Sequence, residues 1–377
     1  MAKHYKDLGG YSDLVAAARR WQKERVAKPG AKTRRLVADC LAFAPGPERA
    51  QKVTVGRRWE KDGIVGEELS WSVGYGPRTQ AWLLKPAGAT GRLPGIVALH
   101  DHGGWKYHGK EKIAIGPDAQ SPEMVTFHAG CYGGRAFANE LAREGFAVLV
   151  HDTFLWGSRR FALEDIPEWT RVCGRAILPH AGGDPESPIS VYNAAAGEHE
   201  GIVQKYATVL GTSISAIISF EDRVATNYLA SRRDVDASRV GCIGLSGGGL
   251  RSTMLNATSD RIAAAVVVGL MSTYEGLLDH NVVSHTWMLY PPGWSRHGDW
   301  TDLAACRAPS PLLVQFDNED QLFSLDGMKA AHKRLAGHFR SVRAPKNYVG
   351  QFYPGPHKFD VPMQEAAFAF LTERLGK

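Results

Sequence analysis

A serine set between glycines carries the strongest chemical signal in this sequence. Residues 239–249 read Arg-Val-Gly-Cys-Ile-Gly-Leu-Ser-Gly-Gly-Gly, so a short apolar run ends in Gly-x-Ser-x-Gly with Ser246 at its centre. A strand that turns sharply into a helix would expose the Ser246 hydroxyl on a strained elbow, and the flanking glycines leave room for that turn. Such a serine can attack a carbonyl carbon if a base takes its proton and nearby N–H groups hold the oxyanion.

Carboxylates for such a site follow a later apolar run. The run 311–316 leads into Asp317, Glu319 and Asp320. A buried carboxylate would fix the tautomer of a catalytic histidine and stabilise its cation. We favour Asp320 for this role, with Glu319 and Asp317 as alternatives, because a turn presents successive residues to different sides.

A histidine suited to act as the base lies close to the last predicted helix. His357 ends the turn-rich stretch Tyr-Pro-Gly-Pro-His at 353–357. It would accept the Ser246 proton and return it to the leaving group. In a doubly wound sheet such groups gather at the carboxyl ends of strands, which is where the serine and the acids fall in this sequence.

An oxyanion hole requires two N–H groups that point at the same place. The amide of Gly247, at the start of the helix after the serine, is one candidate. The second would come from the loop 100–105, which reads His-Asp-His-Gly-Gly-Trp after the apolar run 96–99, and we expect the amide of His102 or Gly103. The alternative is a tight glycine turn with no catalytic role.

The elements that must position these groups alternate between strand and helix. The pattern predicts helical segments over 11–45 and an antiparallel β lead-in over 52–86. After Pro94, continuous Val/Ile/Leu runs alternate with amphipathic segments, which is typical of a mostly parallel sheet covered on both faces. Residues 155–210 fit this rhythm poorly, since they are rich in Trp, Pro, Gly and His, and we interpret them as an inserted cap segment.

Four segments resemble one known family. The likeness is carried by residues 235–248, which have Asp-x-x-Arg ahead of the serine elbow, and by residues 152–159, which have Asp…Gly-x-Arg. It is also carried by 308–314, which read Ala-Pro-Ser-Pro-Leu-Leu-Val, and by 353–357. On them the chain resembles the α/β-hydrolase superfamily, and within it the dienelactone-hydrolase and acetyl-xylan-esterase-like branch of bacterial esterases. That family also has the chain order serine, acid, histidine. The resemblance covers roughly residues 80–377.

The sequence departs from the branch in three places. The oxyanion loop reads His-Asp-His-Gly-Gly at 100–104, where many relatives have a His-Gly pair followed by an aromatic residue. Asp317 stands where relatives usually have glycine, so that neighbouring carboxylates compete for His357. Dienelactone hydrolases use a cysteine nucleophile, whereas Ser246 favours ordinary ester chemistry.

The resemblance predicts a fold and an activity. The fold is an α/β-hydrolase fold, with a mostly parallel doubly wound sheet, an antiparallel N-terminal lead-in and N-terminal helices. We expect a helical extension at 1–50 and a hydrolase domain at 51–377 with a cap-like insertion at about 155–210. The predicted activity is cleavage of carboxylic esters, of acetyl or other small acyl groups, through an acyl-enzyme on Ser246 and without a cofactor. The alternatives are amide, peptide or C–C bond hydrolysis on the same triad, and a non-catalytic hydrolase-like binding protein.

A substrate pocket is expected beside these groups. The stretch 279–292 follows the strand after the elbow helix and would line this pocket, or would pack as a loop on the sheet edge. Arg159 is expected to pair with a carboxylate such as Asp152. The aromatic residues of the insertion, Trp156, Trp169 and Tyr192, would form either a lid or core. The residues predicted to contact substrate are Trp105, His280, His285, Trp287 and Tyr290.

Composition excludes several other classes. The 377 residues carry a formal charge of +6 without a basic stripe, which argues against nucleic-acid binding. The five cysteines are far apart and form no CxxC pair, and the HxH of residues 100–102 lacks an HxHxDH or HExxH context, so no metal site is expected. The N-terminal sequence lacks a signal-peptide core, and no apolar run could span a bilayer, so we expect a cytoplasmic protein with a small-molecule ester substrate. A homo-oligomer stays open.

Overall fold

One mixed sheet organises the protein. The computed structural model describes residues 3–21, 26–278 and 280–376. Within these residues the strands form a nine-stranded sheet of order β1-β2-β3-β5-β4-β6-β7-β8-β9. The strands are β1 Gln51–Lys61, β2 Ile64–Ser72, β3 Thr79–Pro86, β4 Leu93–Leu99, β5 Ala147–His151, β6 Val235–Leu245, β7 Ile262–Val268, β8 Leu312–Asp317 and β9 Tyr348–Tyr353.

Helices cover both faces of the sheet. In chain order they are α1 Asp13–Trp21, α2 Ala31–Cys40, α3 Pro122–Cys131, α4 Phe137–Arg143, α5 Glu168–Ile177, α6 Pro188–Val209, α7 Ile214–Ser231, α8 Gly247–Thr258, α9 Tyr274–Leu278, α10 Trp300–Ala304, α11 Leu325–Ser341 and α12 Val361–Leu375. Among the described residues, no helix combines the length and the hydropathy needed to cross a lipid bilayer.

The strand directions confirm the predicted fold class. β1, β2 and β3 pair antiparallel, and β3 pairs antiparallel with β5. From β5 through β4 to β9 every pairing is parallel. A parallel sheet needs apolar cover on both faces, and the parallel strands β4, β5, β7 and β8 are buried almost throughout.

Alternation along the central strands divides the core into two layers. Val97 and Leu99 of β4 belong to one hydrophobic cluster, together with residues of α7, α8 and α11. Ile96 and Ala98 of the same strand belong to the other cluster, with residues of α4 and α12. Successive side chains of a strand point to opposite faces, so one apolar run supplies both layers.

The N-terminal segment packs on this core. Val37 and Leu41 are buried in the same cluster as the helices α7 and α8. The segment 1–50 is therefore in contact with the sheet domain through α2, while a domain boundary near residue 50 stays a prediction.

Helix α6 was missed by the sequence analysis, which interpreted 155–210 as poorly patterned. The helix has 22 residues, and its first turn is capped by the Ser187 side chain, which accepts from the backbone N–H of Ser190. Proline at the first helical position fits this start. The helical periodicity was present in the sequence but was obscured by the polar residues and glycines of this segment. The buried positions that recur at helical spacing are Tyr192, Ala195, His199, Val203 and Ala207.

Arg159 pairs with a carboxylate as expected, but the partner is not Asp152. Its guanidinium forms a buried ion pair with Glu221 of α7, at 2.5 Å. Asp152 instead pairs with Lys110, at 3.3 Å, and accepts from the backbone N–H of Ser158. Of the aromatic residues of the insertion, Trp156 and Tyr192 are buried, whereas Trp169 is exposed.

Candidate active site

Ser246 occupies the predicted elbow between β6 and α8. Its backbone has φ of 56° and ψ of −120°, a region that favours glycine and strains a residue with a side chain. Its N–H donates to the carbonyl of Val268 at the end of β7, at 2.8 Å. A β-carbon on Gly248 would lie 2.1 Å from the carbonyl oxygen of Leu99, and one on Gly244 would lie 2.5 Å from it. Both glycines are therefore required by the close approach of this turn to β4.

Asp320 and His357 form the acid–histidine pair. The Nδ1 of His357 donates to Asp320 at 2.7 Å, and the other carboxylate oxygen of Asp320 accepts from the N–H of Leu322 at 2.8 Å. The Nε2 of His357 is buried and has no hydrogen-bond partner among the described residues. A proton on Nδ1 leaves Nε2 as an acceptor, which is the tautomer a general base requires.

The other two candidate carboxylates lie nearby without bonding His357. Asp317, at the end of β8, accepts from the N–H of Lys358 at 3.2 Å, and its other oxygen has no partner in the described chain. Glu319 accepts from the N–H of Gly355 at 3.2 Å. The turn after β8 thus directs only Asp320 at the imidazole.

Charges around His357 favour its protonated form. Burial alone would lower the pKa of His357, but the hydrogen bond and charge of Asp320, with the charges of Asp317 and Asp101, outweigh burial and raise it. Burial raises the pKa of Asp317 to about 7. The site therefore holds one carboxylate bonded to the imidazole and a second that titrates near neutrality.

Backbone amides at the same cavity as Ser246 lack hydrogen-bond acceptors among the described residues. Gly247 begins α8, where the first N–H groups of a helix have no partner within the helix. A β-carbon on Gly247 would lie 2.5 Å from the backbone nitrogen of His102, so the two amides are adjacent. Within the described residues, the N–H groups of Gly247, His102 and Gly103 donate to no protein acceptor. This pair of loops can hold an oxyanion by backbone donors.

Glu200 of α6 fixes the loop that carries His102, and sequence reasoning missed it. One of its oxygens accepts from the Nε2 of His102 at 3.0 Å and from the Nζ of Lys106 at 2.5 Å. The other accepts from the hydroxyl of Thr286 at 2.5 Å and from the N–H of Trp287 at 3.0 Å. Burial opposes ionisation here, but Lys106 and His102 outweigh it and hold the pKa of Glu200 well below its usual value. Its partners are all distant in the sequence, so no local pattern pointed to Glu200.

The two histidines of the HxH pair are bonded differently. His102 uses both ring nitrogens, since its Nδ1 accepts from the N–H of Gly104 at 3.1 Å. The ring of His100 is buried, and its Nδ1 donates to the carbonyl of Asp101 at 3.0 Å. The Nε2 of His100 has no hydrogen-bond partner among the described residues.

A cavity of about 410 Å³ opens on Ser246 and His357. Its walls are mainly apolar, and His285 is among its polar lining residues. Burial lowers the pKa of His285 to about 4, so that its imidazole is neutral near pH 7. No lysine or arginine lines the cavity within the described chain. The leucines and phenylalanines of the lining are Phe127, Leu245, Leu250, Leu270, Leu289, Leu322 and Phe323.

Four of the predicted substrate-contacting residues lie outside this lining. Trp105 packs against the ring of Phe127, with ring centroids 5.6 Å apart. The Nε2 of His280 donates to the carbonyl of Gln321 at 2.7 Å. Trp287 is half exposed, and the hydroxyl of Tyr290 donates to the carbonyl of Val282 at 3.2 Å.

The sheet order, the strained serine elbow and the acid–histidine pair define the α/β-hydrolase fold. No family model matches the sequence. By sequence, the chain is similar to YtaP of Bacillus subtilis (strain 168), which is named as a candidate hydrolase. The two are 23% identical over 291 residues, which is 77% of this chain and 81% of YtaP.

Solved structures share the same architecture. A candidate acetyl xylan esterase from Bacteroides fragilis matches with a TM-score of 0.64 at 17% identity, covering 93% of this chain and 84% of that one. A glucuronoyl esterase from Solibacter usitatus matches with a TM-score of 0.61 at 14% identity, covering 91% of each chain. Methylesterase BT1017 matches with a TM-score of 0.57 at 18% identity over 90% of this chain, which spans 62% of that protein. At these identities the likeness establishes the fold.

Proposed function

We propose that this protein is a serine hydrolase that cleaves carboxylic esters through an acyl-enzyme on Ser246. The observation that carries the proposal is the His357–Asp320 pair, whose unpartnered Nε2 lies at the same cavity as the strained Ser246. The names of the structural neighbours, which are esterases, support ester substrates over amides. The amide, C–C and non-catalytic alternatives have no feature of this cavity in their favour.

The chemistry follows from the placement of these groups. The Nε2 of His357 takes the Ser246 proton as the serine oxygen attacks the ester carbonyl carbon. The N–H groups of Gly247 and His102 hold the resulting oxyanion, and Asp320 stabilises the imidazolium. The imidazolium then gives its proton to the leaving alcohol. In the second half, His357 activates a water molecule that releases the acid from the serine.

The cavity favours a neutral ester with a small acyl group. Its volume of about 410 Å³ has to hold both the acyl and the near part of the alcohol. The apolar walls favour hydrocarbon, and the described lining offers no cation to bind a carboxylate on the substrate. We therefore expect acetyl to butyryl esters to be preferred over long-chain or anionic ones.

A substrate series on two proteins tests the proposal. Wild type and Ser246→Ala would be assayed with p-nitrophenyl esters of graded chain length, with acetylated sugars and with the matching anilides. We expect ester cleavage by wild type, a rate for Ser246→Ala lower by at least about 10³-fold, and a fluorophosphonate adduct on Ser246. Cleavage that persists in Ser246→Ala would contradict the mechanism. Absence of both turnover and adduct in wild type would favour the binding-protein alternative.

A further inference from the structure

Lys112 is a fully buried lysine beneath the loop that follows β4. Its ammonium donates to the carbonyl of Asp101 at 2.5 Å and to the carbonyl of His102 at 3.1 Å. It also contacts the carboxylate of Asp101, at 3.1 Å. All three of its N–H donors are therefore directed at two consecutive residues of this one loop.

Those two carbonyls belong to the peptide units whose amides face the serine. The carbonyl of Asp101 shares a peptide plane with the N–H of His102, and the carbonyl of His102 shares one with the N–H of Gly103. In a planar trans peptide the C=O and N–H point in opposite directions. A lysine that holds both carbonyls on one side therefore turns both N–H groups to the other side, where His102 meets Gly247.

We propose that Lys112 is a positioning residue that orients and polarises the amides of His102 and Gly103 as oxyanion donors. The proposal rests on the ester-hydrolase function proposed above. The Lys112 ammonium is shielded from solvent, so it acts on these carbonyls in a low-dielectric interior, where hydrogen-bonded groups polarise one another. Pulling electron density toward the carbonyl oxygen leaves the N–H of the same peptide a stronger donor. The carbonyl of His102 also accepts from two neutral donors, the indole N–H of Trp156 at 3.3 Å and the backbone N–H of Trp105 at 3.2 Å.

The competing explanation is that Lys112 only neutralises Asp101. The Asp101 carboxylate is buried, and it also accepts from the hydroxyl of Tyr132 at 2.5 Å. Removing the lysine alone would leave this carboxylate without its counterion, which is strongly destabilising. A variant that removes both charges separates the two explanations.

The experiment compares Lys112→Met, Asp101→Asn and the double variant Lys112→Met/Asp101→Asn with wild type. We expect Lys112→Met to lower the melting temperature and the double variant to recover most of that loss. Both variants that lack the lysine should hydrolyse p-nitrophenyl acetate with kcat lower by about 10- to 100-fold and KM changed by less than about threefold. Asp101→Asn keeps the lysine under the carbonyls, so its kcat should stay above that of both variants that lack the lysine.

A second readout follows the oxyanion itself. A trifluoromethyl ketone forms a tetrahedral adduct with an active serine, so its affinity should fall in the double variant by the same factor as kcat, while that of the corresponding unreactive alcohol should not change. A stable double variant with wild-type kcat and wild-type ketone affinity would overturn the role of Lys112. Failure of the proposed function is a different result, because wild type itself would then neither cleave esters nor react at Ser246.

Discussion

The α-carbon of Gly247 lies directly against the backbone nitrogen of His102, so closely that a β-carbon on Gly247 would be 2.5 Å from that nitrogen and 2.9 Å from the β-carbon of His102. The helix after the nucleophile and the loop after β4 therefore meet backbone to backbone. The absence of a side chain at this one position is what lets two amide groups from different elements converge.

Gly247→Ala should accordingly inactivate the enzyme without unfolding it. The methyl group would push His102 away and separate the two oxyanion donors, so we expect kcat for p-nitrophenyl acetate to fall by at least about 100-fold. Gly197→Ala is the matched control, because that glycine lies on the exposed side of α6 with nothing within 4 Å of the added carbon. The control should keep wild-type activity; equal activity of the two variants would exclude this oxyanion hole.

Relief of backbone strain should be measurable at Ser246. Ser246→Ala keeps a β-carbon at φ of 56°, whereas Ser246→Gly does not. Both variants lack the attacking hydroxyl, but we expect Ser246→Gly to have the higher free energy of unfolding, by about 1 kcal/mol. Urea denaturation of the two inactive variants measures this difference directly. A lower stability for the glycine variant would show that the elbow is not strained.

Asp317→Asn should change how stability depends on pH. Burial raises the pKa of Asp317 to about 7 in the folded protein, above the value near 4 of an unfolded chain, so folding takes up a proton between these values. The contribution of Asp317 to the free energy of unfolding is fully present below about pH 4 and is lost as the pH rises through about 7. We expect the asparagine variant to be more stable than wild type at pH 8, by about 3 kcal/mol, and to gain nothing at pH 4. Urea titrations at the two pH values test this.

Asp317→Asn should also shift the acidic limb of the pH–activity profile. His357 has to be neutral to act as a base, and its pKa is raised although burial opposes this, because Asp320, Asp317 and Asp101 favour its cation. Removing the charge of Asp317 should lower the pKa of His357 and shift the acid limb of kcat/KM to lower pH. An acidic limb that does not move in Asp317→Asn would mean that Asp317 has no electrostatic effect on His357.

Asp320→Asn should instead lose most activity at every pH, since it leaves the imidazole without its orienting acceptor.

Glu200→Gln should weaken both folding and catalysis. It leaves Lys106 buried without a counterion and loosens the hold on His102, so we expect a loss of about 3 kcal/mol in the free energy of unfolding and a kcat lowered by about tenfold. Glu198→Gln, at an exposed position of the same helix, is the control and should change neither. A Glu200→Gln protein with wild-type kcat would show that the loop holds its shape without this carboxylate.

The sequence predicted the fold class and the elements that carry Ser246, Asp320 and His357 because each feature is local. A glycine-flanked serine, an apolar strand that runs into acids and a histidine in a late loop can be found by pattern alone. The position of Asp320 opposite the imidazole, rather than Asp317 or Glu319, depends on how the turn after β8 folds onto β9, and spacing does not contain this information.

The pocket was predicted less well for a physical reason. Trp105 and Trp287 are large apolar side chains, which suggested contact with a ligand, yet one packs on Phe127 and the other is half exposed at the surface. The residues that line the cavity are mostly leucines and phenylalanines whose composition does not distinguish them from core. Lys112 and Glu200 were missed because a buried charge is recognised by its partners, which are distant in sequence.

The four contacts of Glu200 limit how this enzyme could be rebuilt. One carboxylate on α6 bonds the loop after β4 on one side and residues 286–287 on the other. Replacing residues 155–210 with the corresponding segment of another protein of this fold would therefore also remove the carboxylate that holds the loop of His102. Chimeras would keep activity only where the donor brings an acid at the equivalent turn of the helix.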